Sequence, residues 1–103
     1  VSYERMGDLY RTLGQGEAAR DAYAKALEIR ERLARAEPDR ADYQRDLVAS
    51  LVRQAEMTDG AAARAHLQRA LGIVEALQAS GRLAPADAGM LPALRRMLDA
   101  LPP

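Results

Sequence analysis

Apolar residues recur along this chain every three or four positions in long runs, the spacing of one helix face rather than the alternation of a strand. From Glu17 to Ala36 the stripe is Ala19, Ala22, Tyr23, Ala26, Leu27, Ile29 and Leu33, and the opposite face is charged. There Glu28 precedes Arg32 by four residues and Glu31 precedes Arg35 by four, the order in which side chains one turn apart attract. From Arg40 to Met57 a narrower seam runs through Tyr43, Leu47, Leu51 and Ala55. From Ala61 to Ser80 the pattern is Ala63, Leu67, Ala70, Leu71, Val74 and Leu77. Leu91, Leu94, Leu98 and Leu101 outline a last helix over about residues 86–101, with Pro85 and Asp87 as start signals. Pro92 inside it requires either a late start, with the proline in the first turn, or a bend. Gly14-Gln15-Gly16, Pro38-Asp39, Thr58-Asp59-Gly60 and Gly81 punctuate the pattern and leave five helices, the first ahead of Gly14.

Composition agrees with this reading. The chain has 22 Ala and 14 Leu against 4 Val, 2 Ile and no Phe or Trp. Ala and Leu enter helices at the least cost, and the residues that favour strands are scarce, so the expected fold class is all-α. Its 103 residues suffice for one hydrophobic core, and residues 1–103 read as a single domain. Fifteen basic residues balance fifteen acidic ones, so the surface has no excess charge to concentrate nucleic acid or anionic lipid, and neither is expected as a partner. Fourteen of the fifteen basic residues are Arg, a usage similar to that of high-GC bacterial genomes. No run approaches the roughly 18 uninterrupted apolar residues of a membrane span, no signal peptide is visible, and the cytoplasm is the default location. The Leu91 to Leu101 stripe is read as a core-packing face rather than a membrane-surface helix.

The chain repeats itself once. Ala18-Ala19-Arg20, Tyr23 and Ala26-Leu27-Glu28-Ile29 match Ala62-Ala63-Arg64, Leu67 and Ala70-Leu71-Gly72-Ile73 at an offset of 44. Upstream the best offset is 48, which expects the second copy to have lost one helical turn at its corner. Residues 40–49 then have no counterpart ahead of Val1, and the chain reads as a piece of a longer protein.

Tyr3, Met6, Gly7 and Tyr10, followed by Ala19, Tyr23 and Ala26, resemble the signature of the tetratricopeptide repeat family. Gly7 and Ala19 are small where two antiparallel helices would cross, and Tyr3, Tyr10 and Tyr23 would fill the space around the crossing. The second copy is more degenerate, with Leu51, Ala55, Thr58, Ala63, Leu67 and Ala70 at the matching places. The spacing exceeds the family's usual length of about 34 residues and is similar to the longer-helix variants of kinesin light chain and bacterial signalling proteins. The resemblance implies antiparallel helical hairpins stacked as a right-handed superhelix: repeat one over 1–36, repeat two over 40–80 and a capping helix over about 86–101. It also implies a concave groove that binds a protein or peptide, lined by Glu4, Arg5, Asp8, Arg11 and Thr12 in the first copy and by Val52, Arg53 and Glu56 in the second. Their mixed charge suits a charged peptide, although the same residues also read as solvated charges. The carboxylate clamp of chaperone-binding relatives has Lys and Asn where this chain has Glu4 and Asp8, and only Arg53 matches it.

Two repeats are fewer than the three or so that a stacked array needs, so the uncovered end at Val1 expects a preceding repeat or self-association through the first two helices. An oligomerisation module acting through apolar end faces, and a regulatory segment of a larger signalling enzyme, are the alternatives. No catalysis is expected. The chain has one His, three Ser, two Thr and no Cys, and no cofactor or metal site emerges. His66 lacks a second His at ligand spacing and is expected to be solvated. The pairs Glu28 with Glu31 and Asp42 with Asp46 each have an Arg neighbour, Gly14-Gln15-Gly16 lacks the strand and Lys of a phosphate loop, and Glu28, Glu31 and Glu37 cancel Arg30, Arg32 and Arg35.

Overall fold

Each amphipathic segment becomes a helix in the computed structural model, which describes residues 2–102. The helices are α1 (Tyr3–Thr12), α2 (Gly16–Ala36), α3 (Ala41–Glu56), α4 (Gly60–Ala79) and α5 (Met90–Ala100). A short 3-10 turn, Pro85–Asp87, precedes α5. Among the described residues all regular structure is helical, so the all-α class holds. The late start of α5 puts Pro92 in its first turn, where a missing N–H costs nothing.

Local chemistry sets where the helices stop. Ser2 caps α1, its Oγ accepting the Arg5 N–H at 3.1 Å. Gly14 follows α1 with φ +75, so the Gln15 N–H reaches the Tyr10 carbonyl at 2.8 Å and the Gly14 N–H reaches that of Arg11 at 3.1 Å. Gly81 ends α4 the same way, with bonds from Arg82 to Leu77 and from Gly81 to Gln78. Both are paired closures that need a left-handed residue, which glycine adopts without strain.

The two hairpin corners are equal in length, Leu13–Gln15 and Met57–Asp59. Helix boundaries therefore repeat at 44 on both sides of the corner, and the lost turn that the upstream offset of 48 expected is not there. The upstream similarity at 48 lies one turn along the same helix face, where apolar residues recur anyway.

Helices consecutive in sequence are neighbours in space: α1 on α2, α2 on α3, α3 on α4, α4 on α5. The main core lies in the second hairpin. Leu47, Val48, Leu51 and Ala55 of α3 meet Ala63, Leu67, Ala70 and Val74 of α4, and Leu91 and Leu94 of α5 and Ala34 of α2 complete the cluster. Arg45 joins the near-buried Asp87 at 2.8 Å, tying α3 to the turn ahead of α5.

The first hairpin is thinner. Apart from Ala34, which joins the main core, its buried residues are Gly7, Ala19, Ala22, Tyr23 and Ala26, all small except the tyrosine. The Tyr23 ring fills the crossing so closely that a Cβ built on Gly7 would lie 2.5 Å from its Cδ1 and Cε1 atoms. Three stripe assignments need correction. Ile29 and Leu33 are 38% and 41% exposed, with Ala34 buried instead, and Tyr3 stands on the outer surface rather than in the crossing. The reason is length. At about 1.5 Å per residue, the ten residues of α1 reach only half-way along the twenty-one of α2. Beyond Ala26 the buried face of α2 turns towards α3, and Ile29 and Leu33 are left uncovered.

Gly7→Ala is expected to destabilise the fold by about 1–3 kcal/mol, because displacing a buried ring outweighs the gain in helix propensity. Chemical denaturation followed by circular dichroism measures it, and a neutral or stabilising effect would contradict the tight crossing.

Candidate functional site

The polar faces of α1 and α3 come together where α2 hands its buried face from one to the other. Glu4 sits at that junction with its side chain 15% exposed. It is paired with Arg30 of α2 and, at 3.3 Å, with Arg53 of α3. The same Arg30 donates to the Asp46 carbonyl at 2.9 Å and to Ser50 Oγ at 3.1 Å, and Ser50 Oγ lies 3.4 Å from Glu4. One turn further along α1, Asp8 accepts from the Tyr23 hydroxyl and from Arg53 Nε at 3.3 Å. One turn beyond that, Arg11 pairs with Glu56 at 3.1 Å. Three successive turns of α1 are thus joined to α3 by charge.

The structure brings all eight residues of the expected groove onto these two helices, but they are not equally free. Glu4, Asp8, Arg11, Arg53 and Glu56 are ion-paired with one another or with Arg30. Thr12 is exposed, and its hydroxyl donates back to the Asp8 carbonyl at 3.0 Å. Arg5 is exposed. Val52 is partly buried against the core, because it lies one turn beyond the buried Val48 on the same face of α3, so it is spent on packing. The reading as freely solvated charges is corrected for Glu4 and Arg53, which lie between helices.

Three residues at this junction escaped the sequence reading of the site. Arg30 reads in the sequence as one of a cancelled basic cluster, yet it lies one turn from Ala26 and from Ala34 on the buried stripe. A charge in that position must have a partner, and this was the available signal. Ser50 carried no signal, since a lone Ser within a helix is ordinary. Tyr23 was assigned to packing, and its hydroxyl has a second use.

Electrostatics follow from these contacts. The hydrogen bond from Tyr23 holds the Asp8 carboxyl below its ordinary value against the opposing effect of burial, with further help from Arg53. Burial, and then the bond to Asp8, pushes the Tyr23 phenol above its own. Elsewhere, Glu28 pairs with Arg32 at 3.7 Å, and Glu31 pairs with Arg35 at 3.6 Å and with Arg69 of α4. Asp42 is held by Arg40. His66 is partly buried rather than fully solvated, because the apolar residues beside it face the α3–α4 interface. Among the described residues no group of three or more His, Asp and Glu side chains is placed to hold a metal ion, and no helix is long and apolar enough to cross a membrane. Comparisons with family models, curated proteins and solved structures find no match to this chain.

Removing Glu4 leaves two arginines at a partly buried junction without their carboxylate. Glu4→Gln is expected to lower stability by about 1–3 kcal/mol, below the cost of breaking a fully buried pair because Arg30 and Arg53 remain 23% and 31% exposed. Denaturant titration at low and high salt checks this, and the difference between the proteins should shrink as salt rises.

The Asp8–Tyr23 bond sets a pH window. A carboxyl depressed on folding contributes its stability above its unfolded value and loses it as pH falls, here below about pH 4. A phenol raised on folding contributes below its unfolded value and loses it as pH climbs, here above about pH 10. Tyr23→Phe should cost about 1 kcal/mol near neutrality, since the carboxylate is half in water, and should flatten the alkaline limb. Thermal unfolding across pH measures both.

Proposed function

We propose that this chain is a protein-binding module, built from two hairpins of tetratricopeptide-like stacking, that takes an acidic or mixed-charge peptide across the α1/α3 face. The observation that carries this reading is the Arg11–Glu56 pair, 47% and 42% exposed, with exposed Thr12 next to Arg11 in the chain. An ion pair so open to water contributes about 0–1 kcal/mol. Arg11 therefore exchanges Glu56 for a peptide carboxylate at little cost, and its planar guanidinium grips that carboxylate with two hydrogen bonds. Glu4 and Arg53 are already engaged and serve as the fixed floor of the surface. The succession of neighbours from α1 to α5 agrees with hairpins stacked in a superhelix. The reading assigns the chain no catalytic step and no cofactor.

Fluorescence anisotropy with labelled Glu-rich and Lys-rich peptides tests it. Glu-rich peptides are expected to bind and to be released by salt. Arg11→Ala should weaken them about tenfold, equivalent to about 1.4 kcal/mol. Equal binding of both peptides, or indifference to Arg11→Ala, would overturn the reading.

A further inference from the structure

The hairpin of α1 and α2 has an outer face, turned away from α3, on which Tyr3, Met6 and Tyr10 of α1 lie beside Asp21 and Lys25 of α2. The same face continues along α2 through Glu28, Ile29 and Arg32. The molecule itself shows how such a face is finished. At the offset of 44, Ile73 of α4 corresponds to Ile29 and Arg69 corresponds to Lys25. Ile73 is partly buried against the core, and Arg69 is paired with Glu31 of the preceding hairpin. In the first hairpin the equivalent isoleucine is exposed, and Lys25 lies over the Tyr3 ring, 5.5 Å from its centroid. The apolar positions recur, but their cover does not.

A second copy of this chain offers the same outer face. The part of α2 that covers the second hairpin is occupied in its own molecule, and α4 is covered by α5. The outer face, unlike these, is free to meet its own copy about a two-fold axis. The charges on that face are arranged for this pairing. Asp21, Lys25, Glu28 and Arg32 alternate in sign at steps of four, three and four. Reversed end for end about the point midway between Ala26 and Leu27, Asp21 meets Arg32 and Lys25 meets Glu28. A pattern that changes sign on reversal is complementary to its own antiparallel copy, so each pair occurs twice.

We propose that two copies of this chain associate through these outer faces, α2 antiparallel to α2 of the second copy about that midpoint, covering Tyr3 and Ile29. The surface is separate from the α1/α3 face and independent of the peptide-binding reading.

Sedimentation velocity on the full 103-residue chain across a micromolar to millimolar series tests the pairing, with circular dichroism to verify folding. A concentration-dependent dimer is expected. Lys25→Glu and Glu28→Lys, each alone, place like charges across the seam and should raise the dissociation constant by about tenfold or more. Mixing the two variants should restore the dimer as a heterodimer, identified by native mass spectrometry, because both contacts then join opposite signs. Ile29→Asp should leave a folded monomer. Arg11→Ala, on the other face, should leave the dimer unchanged. A wild-type chain that stays monomeric throughout, a dimer indifferent to Lys25→Glu and Ile29→Asp, or variants that fail to recover on mixing would overturn the proposal.

Discussion

The short α1 packs on a helix twice its length, and the rest of the molecule follows from that mismatch. A helix buried along one stripe needs a partner for every turn of it. α2 finds α1 for its first half and α3 for its second, so its buried face is shared between two neighbours. Where the first leaves off and the second begins, three backbones converge, and Arg30 stands in that gap one turn beyond Ala26. An apolar side chain there would face Glu4 and Ser50. The arginine instead reaches Glu4, Ser50 and the Asp46 carbonyl together, so the change of partners is made through charge. Burying such groups is costly, and the arrangement persists because each has its complement within reach.

Helix α1 is consequently held in two different ways. Against α2 it is held by shape, the Tyr23 ring lying on Gly7 with Ala19 and Ala22 alongside. Against α3 it is held by the succession of Glu4, Asp8 and Arg11 facing Arg53 and Glu56. Shape fixes the distance between helices through close packing, which tolerates little change. Charge-assisted bonds to a planar guanidinium fix the rotation and register of one helix against the other, because they are lost when the fork is misaligned. Water reaches the far end of this succession more freely than the near end, Arg11 and Glu56 being 47% and 42% exposed against 15% for Glu4. The same chemistry is therefore enclosed at Glu4 and open to solvent at Arg11, and the proposed binding surface is continuous with the fold's own polar ties.

Much of this was legible in the residues. Periodicity and punctuation located all five helices, and Pro92 was correctly restricted to a first turn or a bend. The Gly7–Ala19–Tyr23 crossing could be read because only small residues permit it. Ile29 and Leu33 were misplaced for a definite reason: helical spacing records which residues share a face, but it does not record where the neighbouring helix ends. The corner lengths were misjudged because apolar residues one turn apart are interchangeable in an alignment of two degenerate copies. The expected groove residues fell on the helices foreseen, yet their pairing with one another is a property of the angle between α1 and α3, which no spacing along the chain encodes. Arg30 is the exception that could have been found, as a charge on an apolar stripe.

The junction also links the two surfaces of the first hairpin. Glu4 and Arg30 line a recess on the outer side together with Tyr3, Ala26 and Ile29, while on the other side Glu4 meets Arg53. The pair thus lies beneath both faces. Covering Tyr3 and Ile29 removes water from one flank of an ion pair whose other flank is the floor of the α1/α3 surface. Attraction between the charges strengthens as the surrounding dielectric falls, so a cover on the outer face tightens the hold on Glu4 and, through Arg53, on Asp8. In the second hairpin the equivalents of Glu4 and Arg30 at the offset of 44 are the buried Val48 and Val74, so this link is confined to the first. The end of the molecule with the thinnest core is accordingly the one whose polar ties lie directly beneath exposed apolar side chains.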